Sequence, residues 1–310
     1  MKFASLWAAA LALSLGGASA QVTVEVTQEQ QQFLEGESLP VAVRIINRSG
    51  QPLHLGKEAD WLTFSIESRE GLVVSKTGEA PVAGEFLLEA SKVGIKRLDL
   101  LPYFTLSQPG RYSIVATVHI KDWGQDITSP ACNFDVIEGA KLWEQEVGVP
   151  QSGGSAPEVR KYVLQQANYI RGHLRLYLRV TDSYGRTLRV VPIGGMVSFG
   201  RPEAPQVDRH SDLHVLYQNG PSSFSYTVFN PSGELIKRQV YDYVNNSRPR
   251  LYADDDGEIA IRGGVRRVAA SDVPPPKSDD DDETPTGPEL SAGNSTATSP
   301  ATTEPKATKP

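Results

Sequence analysis

Between Tyr177 and Gly264 the chain states one pattern twice, and that doubling limits the folds open to it more than any other feature. The first copy reads Val180-Thr-Asp-Ser-Tyr-Gly185, then Arg186 to Val191, Pro205-Gln-Val-Asp208 and Leu213-His-Val-Leu-Tyr217. The second reads Val228-Phe-Asn-Pro-Ser-Gly233, then Leu235 to Tyr241, Pro249-Arg-Leu251, Asp254 and Ile259-Ala-Ile261. Asp182 and Asn230 stand 48 positions apart, and Asp208 and Asp254 stand 46 apart. Such a period belongs to stacked β-sheet repeats. Each copy is expected to form two hairpins, turning at Asp182–Gly185 and Asp208–Asp212, with Asn230–Gly233 and Asp254–Gly257 as the later counterparts. Asn or Asp opening a turn and Gly closing it suit a backbone that needs positive φ.

The doubled hairpins resemble the blade repeats of β-propellers, in which each unit is a small antiparallel sheet. About two and a half units are present, whereas a closed propeller has at least four blades. The resemblance therefore implies an open, short β-stack that closes against whatever precedes it. Two chains completing one ring, or an architecture other than a propeller, are the alternatives.

What precedes it, residues 21–138, is also written in strands. Val22, Val24 and Val26 alternate with polar residues, and Val41, Val43 and Ile45 share one face. Asn47–Gly50 is a turn, Trp61 to Ile66 a strand, and Glu70-Gly71 a hairpin turn into Leu72-Val-Val74. No window sustains an apolar period of about 3.6 residues. In Leu106-Ser-Gln-Pro-Gly110-Arg-Tyr112 a turn Gly precedes a Tyr by two positions and feeds a long strand from Ser113 to Ile120. This resembles the tyrosine corner of immunoglobulin-like sandwiches, which implies a hydroxyl bonded back to the upstream backbone. The expected fold class is all-β: an N-terminal immunoglobulin-like sandwich plus a C-terminal antiparallel β-repeat, partly propeller-like, over residues 159–270. Residues 139–158 read as a linker, with Gly148 to Pro157, rich in Gly, Ser and Pro, marking a flexible joint or exposed loop.

Both ends read as segments outside the fold. Lys2, an apolar run from Ala4 to Leu15 and Ala18-Ser-Ala20 form a secretory signal pattern over residues 1–20, with cleavage expected before Gln21. The apolar run is too short to span a bilayer permanently. From residue 271 to 310 the chain is Pro, Thr, Ser and Asp rich, with an acidic run from Asp279 to Glu283, and reads as a disordered spacer. Cys132 is the single cysteine, so no internal disulfide can form, and its apolar neighbours mark it as a small buried hydrophobe. Net charge is −6, which leaves no basic footprint for nucleic acid.

Candidate chemistry is sparse. Asp208, His210, Asp212 and His214 alternate, so an extended strand would gather all four into a weak metal candidate, although the repeat places Arg209–Asp212 in a turn. Asp254-Asp-Asp-Gly-Glu258 suggests calcium but lacks the rest of an EF-hand loop. Met196-Val-Ser-Phe-Gly200 misses the first Gly of a nucleophile elbow. Arg171, Arg175, Arg179, Arg186 and Arg189 would line a cationic strip on a sheet, which Arg201, Arg262, Arg266 and Arg267 could extend. With Tyr177 and the turn residue Trp123, Arg175, Arg179, Arg186 and Arg189 are the binding candidates. No catalytic residue and no cofactor is assigned. The expected function is an exported, secreted or periplasmic, non-enzymatic binding or scaffolding protein whose partner is a protein or an envelope glycan. A polysaccharide hydrolase or lyase, and a subunit of an envelope or export assembly, are the alternatives. A homo-oligomer is one way of completing the repeat. No transmembrane segment is expected after signal cleavage.

Overall fold

A computed structural model describes residues 21–82, 84–149, 157–169, 173–197 and 202–274. The expected signal peptide and nearly all of the expected tail lie outside the described residues, as do Arg171, Arg201 and residues 150–156 of the expected linker. The chain is all-β, built of mainly antiparallel sheets with two short 3-10 turns among the described residues. No helix among the described residues is long and apolar enough to cross a membrane.

Residues 21–137 form two main sheets, with two short two-stranded ribbons, over one core. Strands Val22–Thr27, Pro40–Asn47 and Val93–Asp99 make the first sheet. In the second, Gly110–Ile120 pairs with Leu62–Ser68 on one side and with Gln125–Thr128 and Cys132–Ile137 on the other. Gln32–Leu34 then runs parallel to Cys132–Ile137. The period-two pattern explains the core: Val22, Val24, Val41, Val43, Ile45, Ile114, Ala116 and Val118 all turn inward from the two sheets. Asn47, fully buried, holds the first turn by donating from Nδ2 to the carbonyls of Gln51 (2.7 Å) and Leu88 (2.9 Å) while its Oδ1 accepts from Ser49 N. The Tyr112 hydroxyl donates to the Gln108 carbonyl at 2.7 Å, the bond that the Gly-x-Tyr spacing predicts. Trp61 is buried in this core, its indole N–H donating to Val82 O. One expected strand is absent. Beyond Gly71 the chain does not return as a hairpin through Leu72–Val74; Val73 is 90 % exposed, and Ser75–Lys76 pairs instead with Phe104–Thr105.

The expected linker is in large part a strand. Ala140–Val149 pairs with Glu158–Tyr169, and with His173–Asp182 and Thr187–Met196 these make a four-stranded junction sheet. A middle sheet follows, ordered Gln206–Val207, Leu213–Gln218, Ser223–Phe229, Leu235–Asp242 and Val265–Arg267. A terminal hairpin, Arg250–Ala253 with Ile259–Arg262, comes last. These three are stacked. Tyr162, Leu176, Leu178 and Val180 of the junction sheet meet Leu213, Val215, Tyr217 and Phe229 of the middle sheet. The opposite face of the middle sheet, through Leu216, Phe224, Tyr226 and Val228, meets Leu251, Ile259 and Ile261 of the hairpin. Burial on both faces is why Leu213–Tyr217 and Phe224–Phe229 lack clean polar alternation.

The repeat is finer than the doubled pattern implies. Asp182, Asp208, Asn230 and Asp254 each open the same turn: Oδ1 accepts the backbone N–H groups two and four residues on. The fourth residue of each has positive φ: Gly185, Ser211, Gly233 and Gly257. The repeating unit is thus one hairpin, and the sheets fall out of phase with the expected pairs. The hairpins at Asp208 and Asn230 share the middle sheet, while that at Asp182 belongs to the junction sheet and that at Asp254 stands alone. Two glycines separate backbone strain from packing. At Gly257 a Cβ meets nothing within 4 Å, whereas at Gly233 it meets Val180 Cγ2 at 3.1 Å and Arg189 Cδ at 3.2 Å. Gly257→Ala is expected to cost about 1–2 kcal/mol, the left-handed penalty alone, and Gly233→Ala more. Equal shifts in the urea midpoint would contradict this packing.

Candidate functional site

The junction sheet presents Arg175, Tyr177 and Arg179 from alternate positions of one strand, so all three face the sandwich rather than solvent. Tyr177 is fully buried, packed with Leu34, Ala167 and Val190. Arg175 donates from Nη1 to Gln30 Oε1 at 2.7 Å. Arg179 donates to Glu35 O (2.9 Å), Gln165 Oε1 (3.1 Å) and Thr187 Oγ1 (3.2 Å). The segment that receives them, residues 30–37, ends at Glu37, a carboxylate only 4 % exposed. Its Oε1 accepts from Gln30 Nε2 and its Oε2 from Leu34 N, at 2.9 and 2.8 Å. Burial pushes the Glu37 carboxyl up, against the opposing pull of Leu34 N–H, Gln30 and the Arg175 charge. Gly36, at φ +79°, lets the chain turn here; a Cβ would reach Thr187 and Val190 at 3.3 and 3.4 Å.

The expected cationic strip is therefore divided. Arg175 and Arg179 line the seam with the sandwich. Arg186 pairs with Asp182 Oδ2 at 2.6 Å beside the exposed ring of Tyr184. Arg189 lies against Gly233, its Nη1 at 3.8 Å from Glu234. Arg266 and Arg267 pair with Asp272 and Asp242 at the far side of the middle sheet. The reason is the pleat: alternate positions of a strand leave opposite faces, and sequence proximity does not reveal which face a neighbouring module covers. Trp123 sits apart from all of these, half-buried against the sandwich core in the turn Lys121–Trp123.

The alternating acids and histidines also divide. Asp208 and His214 flank the turn and bond at 3.1 Å, and His214 Nδ1 lies 2.7 Å from the Tyr226 hydroxyl, while His210 points outward. Asp208 and His214 side chains are each 7 % exposed. Asp212 is pushed up by burial and by the Asp208 charge. No group of three or more metal-ligating side chains is gathered among the described residues. This is a buried polar network that ties two strands of the middle sheet together, with no arginine in it.

A cleft of 530 Å³ opens at the end of the sandwich among Lys57, Glu58, Trp61, Glu85, His119 and Lys121. Two of its cationic side chains are paired: Lys121 with Glu58, and His119 with Asp126 at 2.6 Å. The bond from Lys121 holds the Glu58 carboxyl below its usual range, and the bond to Asp126 raises His119. A second cleft, 300 Å³, runs beside Trp143, Leu142, Leu164, Pro202 and Pro205. Over residues 173–193, His173–Asp182 is interior to its sheet, and the edge strand Thr187–Met196 is bridged by Glu37 at the single position Val190.

No protein-family model matches this chain and no curated protein matches it. Among solved structures it is similar to Spo0M, a sporulation control protein from Bacillus subtilis, at 9 % identity and a TM-score of 0.30, covering 56 % of this chain and 89 % of that one. A likeness of that size carries neither fold nor function across.

Sequence reasoning missed Glu37, whose only signal is an acid between Gly36 and the apolar strand Pro40–Asn47. An acid raised on folding contributes stability that is full below its unfolded value, near 4.5, and lost as pH rises through the folded value. Glu37→Gln removes that loss while keeping an acceptor for Leu34 N. Its urea midpoint relative to the native chain is expected to climb as pH rises from about 4 to about 7; a pH-independent difference would contradict the buried carboxylate.

Proposed function

We propose that this chain is an exported, non-enzymatic binding or scaffolding protein of the cell envelope, made of an immunoglobulin-like domain and a short propeller-type stack. The parallel pairing of Gln32–Leu34 with Cys132–Ile137 and the bond from Tyr112 to Gln108 support the immunoglobulin likeness. Stacked sheets with one turn repeated four times support the propeller likeness. Export rests on the signal pattern of residues 1–20.

The observation that carries the non-catalytic reading is the employment of the ionisable groups. Asp208, His214 and Tyr226 bond to one another inside a sheet, Asp182 caps a turn, and Glu37 closes a seam. General acid–base work needs such groups aimed into a cleft at a reacting atom. At the cleft beside Trp61, Lys121 and His119 are instead held in ion pairs with Glu58 and Asp126 at an exposed rim. A rigid stack with outward faces suits presentation of a surface to a glycan or a protein.

The test is incubation of the full chain with polygalacturonate and with a neutral glucan, followed by assay of new reducing ends and of absorbance from unsaturated products. Neither is expected to rise. A rise that His214→Ala abolishes would replace this reading with the hydrolase or lyase alternative.

A further inference from the structure

The outer face of the terminal hairpin carries an arrangement that folding alone opposes. Arg250 and Arg262 are cross-strand partners in register, so their Cβ atoms leave the same face about 5 Å apart. Like charges directly opposite on a strand pair destabilise it. Nearby arginines find relief in ion pairs: Arg209 with Glu258 (2.6 Å), Arg266 with Asp272 (3.4 Å) and Arg267 with Asp242 (2.9 Å). Among the described residues Arg250 and Arg262 have no such partner within 4.0 Å.

An aromatic ring holds the Arg262 guanidinium in place instead. Arg262 lies over the Tyr252 ring, with Cζ 3.1 Å from the centroid, and Arg248 lies 5.1 Å over Phe224 at the same end of the hairpin. Tyr252 is two residues along from Arg250 and so shares its face, and its cross-strand partner is the small Ala260. The opposite face, Leu251, Ile259 and Ile261, is committed to the core with Phe224 and Tyr226. The arginines therefore cannot turn inward. One acid is close: burial raises the Glu203 carboxyl against the opposing charges of Arg250 and Arg248. One carboxylate against three guanidiniums leaves the end positive, and Asp254, Asp255 and Asp256 are at the other end, in the turn.

A guanidinium stacked on a ring has its face covered and its N–H edges free, the geometry that grips a carboxylate with two parallel hydrogen bonds. We propose that this face binds a carboxylated polysaccharide, with Arg250 and Arg262 gripping uronate carboxylates. The C–H face of a pyranose ring then rests on the flat floor made by the Arg262–Tyr252 stack and Ala260. The proposal rests on the reading of the chain as a non-enzymatic binding protein, and it names the glycan class and the surface.

Affinity electrophoresis of the full chain through gels containing polygalacturonate tests it, with neutral dextran and inorganic polyphosphate as comparison matrices. The native chain is expected to be retarded by polygalacturonate and not by dextran. Arg250→Ala with Arg262→Ala should weaken retention by about tenfold or more, as loss of charge-assisted hydrogen bonds implies. Arg262→Lys should also weaken it, because an ammonium neither stacks nor grips bidentately. Arg44→Ala, which breaks the sandwich ion pair with Glu25, should leave it unchanged. The thermal midpoint of the double variant should match or exceed the native one, since a like-charge pair is removed, so that unfolding does not explain the loss. Undiminished retention of the double variant, no retention of the native chain, or retention by polyphosphate as strong as by polygalacturonate overturns the site. Absence of retention leaves the non-enzymatic reading standing. Release of reducing ends with retention intact overturns that reading and not this site.

Discussion

Glu37 is the buried acid around which the joint between sandwich and stack is built. A carboxylate removed from water is costly unless its oxygens are bonded, and Gln30, Leu34 N–H and the charge of Arg175 offset part of that cost. Two of those partners belong to the sandwich, while Arg175 belongs to the junction sheet and reaches the carboxylate through Gln30. Around this polar centre Leu34, Ala167, Tyr177 and Val190 close an apolar seam. The sandwich and the first stacked sheet are therefore joined by a contact in which polar and apolar parts each need the other. Residues 21–274 accordingly lie within one compact unit.

From the seam outward, each layer exists to cover the face of the one before it. The junction sheet turns one face to the sandwich and the other to the middle sheet, and the middle sheet is covered again by the terminal hairpin. A hairpin of this kind is marginal alone; the repeated Asx turn fixes its register, and stacking supplies the burial. The last hairpin has no further layer among the described residues, so its outer face is where the stack is free to recognise something else. Arg250 and the Tyr252-backed Arg262 stand on that face.

Much of this was legible in the amino-acid sequence, for stated physical reasons. Period-two alternation exposed the sandwich strands, and the Gly-x-Tyr spacing foretold the bond from Tyr112 to Gln108. The Asn/Asp and Gly positions located all four turns, including the one that uses Ser211 where its counterparts use Gly. What failed to show was whatever depends on which face meets which module. Arg175 and Arg179 resemble a ligand strip in sequence and are a seam in space. The Gly- and Ser-rich stretch near residue 150 concealed the strand Ala140–Val149, because polar residues on an edge strand carry no apolar signal. The pairing of Arg250 with Arg262 depends on register, which a sequence of four-residue strands does not declare.

The functional account and the fold account meet in one requirement: sandwich and stack must behave as a single rigid body for an outward face to be presented in a fixed orientation. Differential scanning calorimetry of the native chain beside Tyr177→Ala measures this most directly. Tyr177 is fully buried at the seam, and loss of its ring should cost about 3–5 kcal/mol. The native chain is expected to unfold in one transition whose calorimetric and van't Hoff enthalpies agree, and the variant in two, with sandwich and stack melting separately. Two transitions in the native chain, or an unaltered single one in the variant, would contradict a seam that joins the modules.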